Sequence, residues 1–132
     1  MRIHPERLFT YLLAASLGAS AVAHGILAPQ HYQEEPTMGL AFACAAAVFG
    51  VLSATLLAGY RSSGLVEGSA WLLLGAFWAY VLTVLFGLQF LGWHQEPITA
   101  AGAIVKAVEL LGIAAAYKLI GLAAAPQRSV RT

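Results

Sequence analysis

Four apolar stretches, each long enough to cross a lipid bilayer, leave this chain little room for any other fold. They run over about residues 8–27, 38–60, 65–91 and 98–125. A helix needs about 20 mostly apolar residues to span the hydrocarbon. The stretches are rich in Ala and Leu and lack the alternation of barrel strands, so each reads as a helix. Composition closes the alternatives. Only 10% of the 132 residues are charged, against about 25% in a soluble domain, and the mean hydropathy is +0.76. A small globule has too much surface for so few charges. A hydrophobic content of 60% excludes disorder. The single cysteine, Cys44, excludes a disulfide scaffold. There is no Asp and no Asn, which removes Asp-based metal loops and Asp-dependent triads. A net charge of +1 provides no nucleic-acid footprint.

The expected fold is an all-α membrane protein, one domain over residues 1–132. The connections, 28–37, 61–64 and 92–97, are short and force neighbouring helices to be antiparallel, as in an up-down-up-down bundle. Arg2, Arg7, Arg61, Lys118, Arg128 and Arg131 then fall on one side, and the two opposite loops hold no Lys or Arg. The positive-inside rule places both termini in the cytoplasm and the protein in the inner membrane. Residues 1–7 and 8–22 also resemble the basic and apolar parts of a signal peptide, with Ala21-Val22-Ala23 as a cleavage site before His24. The uncleaved, four-span reading is the one adopted.

Both outer loops read His, Gln, Glu, Pro and then enter a helix rich in small residues, the pattern of a duplicated helical hairpin. In the second span Gly39, Ala43, Ala47, Gly50 and Ala54 share one face, and in the first Ala15, Ala19 and Ala23 do the same. Small residues let helices approach closely in lipid. Trp93 fits an outer aromatic belt, and Tyr60 and Trp71 an inner one. Cys44 reads as a small buried hydrophobe.

Two groups of polar residues need a cause. At the outer face stand His24, His31, Glu34, Glu35, His94 and Glu96, three of the four histidines and three of the six acids. Imidazole with carboxylate suits zinc or copper. The expected ligands are His24, His31 and His94, with Glu35 fourth. Their bland alternative is a set of solvated loop residues, with Glu35 and Glu96 favoured by helix N-termini. The second group lies inside the membrane. Lys106 and Glu109 are three residues apart on one helical face. They lie roughly 12 and 16 Å below the outer surface by helical rise. Charges at that depth face the bundle interior and pair. Gln89 is the expected partner of the pair from the third span, and Lys106 is expected to reach outward toward the loop acids.

Residues 24–119 resemble a group of small four-helix integral membrane proteins of high-GC bacteria. The residues that carry the likeness are His24, Ala28-Pro29-Gln30-His31, Glu35, Gly39, and Lys106 with Glu109. Gln30 departs from that group's pattern, which has Glu there. The resemblance implies a four-helix membrane protein and brings no activity with it.

Function follows from these features as an expectation. The chain reads as a non-catalytic accessory subunit of a membrane complex, with an outward-facing His/Glu metal site. Its partners would be lipid and either other membrane subunits or further copies of itself. The alternative is a small proton-coupled or metal transporter that uses Lys106 and Glu109. No nucleophile–base pair, phosphate loop or intramembrane His pair points to an enzyme or a transmembrane haem.

Overall fold

The computed structural model describes residues 4–124, so Arg2, Arg128, Arg131 and the expected end of the fourth span at Ala125 lie outside the described residues. Four α-helices make up nearly all of it: α1 (Pro5–Glu34), α2 (Pro36–Leu57), α3 (Ser63–Phe86) and α4 (Ala100–Ala124). All four are long and apolar enough to cross a membrane. Among the described residues there is no strand, only an isolated bridge between Leu88 and Trp93.

Most boundaries fall within two or three residues of expectation, and two differ by more, each for a local reason. The first is α1, which continues through Pro29 to Glu34, where a loop was expected from residue 28. Proline has no N–H, so this interior turn lacks one helical hydrogen bond. Packing offsets the loss: the His31 ring lies 4.5 Å from the Phe42 ring. The chain leaves the helix only at Glu35, in extended conformation (φ −141, ψ 94). Pro36 disfavours the helical region for the residue before it, and itself suits the first position of α2. Gly39 completes the tight turn, because a Cβ there would fall on the backbone of Tyr32.

The second difference is α3, which stops at Phe86 instead of residue 91. Gly87 has a positive φ of 67 and donates its N–H to Thr83 O at 3.0 Å. The connection 87–99 then folds as a structured loop. It holds a 3₁₀ turn over Gln89–Leu91, and Gln95 Nε2 caps α3 by donating to Val84 O at 2.8 Å. At the start of α4, Gly102 N donates to Thr99 Oγ1 at 3.0 Å. At the start of α3, Leu65 N donates to Ser62 Oγ at 3.1 Å.

Helix α1 packs against α2 and α4, and α4 against α3, whereas α2 and α3 barely meet. Each helix therefore packs mainly on its neighbours in the cycle α1, α2, α3, α4, and the cycle is loosest between α2 and α3. Leu13 and Leu17 of α1, Phe49 and Leu56 of α2, Leu73 of α3, and Ile113 and Ala116 of α4 build the core. Close approach depends on small residues: a Cβ on Gly112 would lie 2.7 Å from Ser16 Cβ. Polar glue joins α1 to α2, with Ser53 Oγ donating to Ala14 O at 2.8 Å. Of the small-residue face expected on α2, Gly39 is buried against α1, while Ala43, Ala47 and Ala54 are exposed. Cys44 is exposed as well, not buried as expected. It sits next to Ala43 on the flank of α2 turned away from α1.

The one-residue turn at Glu35 and the 87–99 connection meet at one end of the molecule. Thr37 Oγ1 donates to Leu91 O at 2.8 Å, and Trp93 Nε1 donates to Thr37 Oγ1 at 3.0 Å. At the other end, Arg61 reaches Thr10 Oγ1 at 3.5 Å.

Candidate functional site

The polar residues fall into a buried network and a loop-end cluster, with His24 in the first rather than the second. Glu109 is fully buried, and both its oxygens have donors. Lys106 Nζ donates to Oε2 at 2.7 Å, and Ser20 Oγ donates to Oε1 at 2.8 Å. Lys106 also donates to Ala76 O at 3.4 Å and stands 5.3 Å from the centre of the Tyr80 ring. His24 lies one turn beyond Ser20 on α1, and its Nδ1 is 2.8 Å from Ser20 O. A carbonyl can only accept, so Nδ1 carries the proton. The His24 ring is held at 4.9 Å from Phe42 and 5.6 Å from Phe49. Ser20, His24, Lys106 and Glu109 are all buried, and together they tie α1, α3 and α4.

These positions correct two expectations. Gln89 does not reach the pair, because α3 ends at Phe86 and leaves Gln89 exposed in the loop. Lys106 does not reach outward to the loop acids, because Glu109 and the α3 carbonyl lie nearer. Ser20 is the partner that sequence reasoning missed. Its signal was present: Ser16, Ser20 and His24 recur every four residues within an otherwise apolar stretch over residues 12–28, the spacing of one face.

At the loop end, one donor atom from each of His31, Glu34 and Glu96 lies within 4.8 Å of the others. His31 Nδ1 is 3.9 Å from Glu96 Oε1. The last turn of α1 supplies His31 and Glu34, and the 87–99 connection supplies Glu96. His94 pairs elsewhere. Its N–H donates to Glu35 Oε1 at 2.7 Å, and its ring Nδ1 contacts the same oxygen. The four expected ligands therefore do not share one point. His24 stands in the buried network, His31 with Glu34 and Glu96, and His94 with Glu35. Glu34 joins His31 because the helix runs past Pro29 and puts residues three apart on one face. A loop at that position would have given no such relation.

Partial burial raises the Glu35 carboxyl, but the N–H and ring of His94, with the charges of His94 and His31, outweigh it and hold the group below its ordinary value. Its second oxygen, Oε2, is buried without a hydrogen-bond partner. An imidazole nitrogen with two carboxylate oxygens is a chemically reasonable donor set for zinc or copper(II). His31, Glu34 and Glu96 would hold such an ion and leave positions for water or a further ligand.

No known protein family, no curated protein and no solved structure matches this chain. Its function must be read from its own residues.

Proposed function

We propose that this chain is an up-down-up-down inner-membrane protein, with both termini cytoplasmic, that binds a divalent transition-metal ion at its outward loop end. We assign it an accessory role in a larger membrane assembly. The observation that carries the metal reading is the convergence of His31, Glu34 and Glu96 donor atoms within 4.8 Å. Zinc or copper is the ion that this nitrogen-and-oxygen set suits. The accessory role is supported by the short connections between the helices. One turn between helices is a single residue, and the longest connection between described helices is 87–99. The orientation rests on the cation-free loop end, with Arg7 and Arg61 at the opposite end.

Metal analysis of natively purified protein tests the site. The wild type should carry close to one equivalent of zinc or copper, and a His31→Ala/Glu96→Ala variant should carry far less. Equal metal content in both removes the site. A carrier that uses Lys106 and Glu109 has less in its favour. The two side chains satisfy one another, and toward the Arg61 end the interior turns to Leu13, Leu17, Ile113 and Ala116.

A further inference from the structure

The end of the molecule opposite the His/Glu cluster holds a cavity of about 550 Å³. It arises because α1 and α3 both pack on α4 but barely on each other, so a gap opens between their first turns. The apolar part of its lining includes Val66, Leu119 and Ile120, of which Val66 and Leu119 are buried. Its charged part is Arg61, Glu6 and Glu67. These residues lie at the first turns of α1 and α3, in the connection just before α3 and at the last turns of α4, where spanning helices pass from hydrocarbon to headgroups.

The charges in this lining are of both signs, and among the described residues they are not joined. Among the described residues, Arg61 contacts Thr10 at 3.5 Å, and the ion pairs involve neither Arg61, Glu6 nor Glu67. One guanidinium and two carboxylates thus border the same space without meeting. A ligand of complementary polarity would link them, with a phosphate on Arg61 and an ammonium between Glu6 and Glu67. Guanidinium binds phosphate through a planar two-point fork, and an ammonium N–H donates strongly to carboxylate. Such a ligand also needs an apolar part to cover Val66, Leu119 and Ile120. A cavity of this volume lies within the range of small-molecule sites.

We propose that this cavity binds the headgroup of phosphatidylethanolamine, with the glycerol and upper acyl carbons on the apolar residues. An anionic headgroup would use only Arg61 of the lining charges and leave Glu6 and Glu67 without a partner. A choline headgroup has no N–H to give to Glu6 and Glu67. The proposal rests on α1, α3 and α4 spanning a membrane and is independent of the metal cluster at the other end. The spanning reading fails separately, if alkaline carbonate extracts the protein from membranes.

Native mass spectrometry of the full chain from detergent micelles tests it. The protein is titrated with short-chain phosphatidylethanolamine, phosphatidylcholine, phosphatidylglycerol and free phosphoethanolamine. Phosphatidylethanolamine should be retained about ten-fold more strongly than any of the others, the scale of one or two charge-assisted hydrogen bonds. Arg61→Gln and the Glu6→Gln/Glu67→Gln double variant should each lower its retention to the phosphatidylcholine level, with helix content unchanged by circular dichroism. If Arg61→Gln does not fold, the double variant still tests the ammonium half. Equal retention of the three lipids overturns the proposal, as does a preference for phosphatidylglycerol. So do free phosphoethanolamine binding as tightly as the lipid, and a preference that survives both variants.

Discussion

Inside the bundle, Glu109 is fully buried and has a donor on each oxygen. At the loop end, Glu34 is exposed, and the nearest approach between His31 and Glu96 is 3.9 Å. The same residue types are thus held in opposite ways. In the low-dielectric interior an unsatisfied charge is very costly, so the pair must close on itself, and a closed pair has little left to offer a ligand. At the surface water can satisfy what the protein does not, so donor atoms can stand together with unused lone pairs. The buried charges therefore hold helices in register, and the loop-end charges remain available for chemistry.

The largest expected effect breaks the buried side of this contrast. Glu109→Gln leaves the Lys106 ammonium buried without a counter-charge and should cost about 3–5 kcal/mol in reversible unfolding from micelles. A Lys106→Met/Glu109→Met double variant should recover most of that loss, because an apolar pair of similar volume replaces a closed ion pair. A double variant as unstable as the single one would mean that the charges do more than hold helices together. Next in size is Gly39→Ala at the loop end. Its new Cβ meets the Tyr32 backbone, and overpacking of this kind costs about 1–3 kcal/mol. Wild-type stability in that variant would show that the α1–α2 turn is looser than described.

The smaller effects sharpen the comparison. Ser20→Ala removes one donor from Glu109 and should cost about 1 kcal/mol, measured by the same unfolding. His31→Ala/Glu96→Ala should change the stability of metal-free protein by less than about 0.5 kcal/mol, as surface substitutions do. In the wild type, added zinc or copper should raise the melting temperature by linkage, and in this variant it should not. A metal-free variant as damaged as Glu109→Gln would place the loop-end cluster among the structural elements.

Much of the architecture was legible along the chain. The four spans followed from length and apolarity, and the Lys106–Glu109 pairing from their spacing of three on one helical face. Other features depended on contacts distant in sequence. The sequence points to a connection from residue 28, yet the turn stays helical through Pro29, where His31 packs on Phe42 and Tyr32 lies against Gly39. That one boundary decides whether His31 and Glu34 share a face. The regrouping of the histidines has the same origin. His24 and His31 are two turns apart on α1, which puts the first beside Ser20 in the interior and the second beside Glu96 at the surface.

By itself the sequence determined that this is an all-helical, membrane-compatible chain with an ionisable pair placed among apolar residues. Those properties follow from local composition and helical periodicity, which no distant contact can change. Only the tertiary structure decided which partners satisfy that pair, which donor atoms meet at the loop end, and that a gap between α1 and α3 opens beside Arg61. These depend on which helices pack closely and which stand apart, and short connections limit that pairing without specifying it.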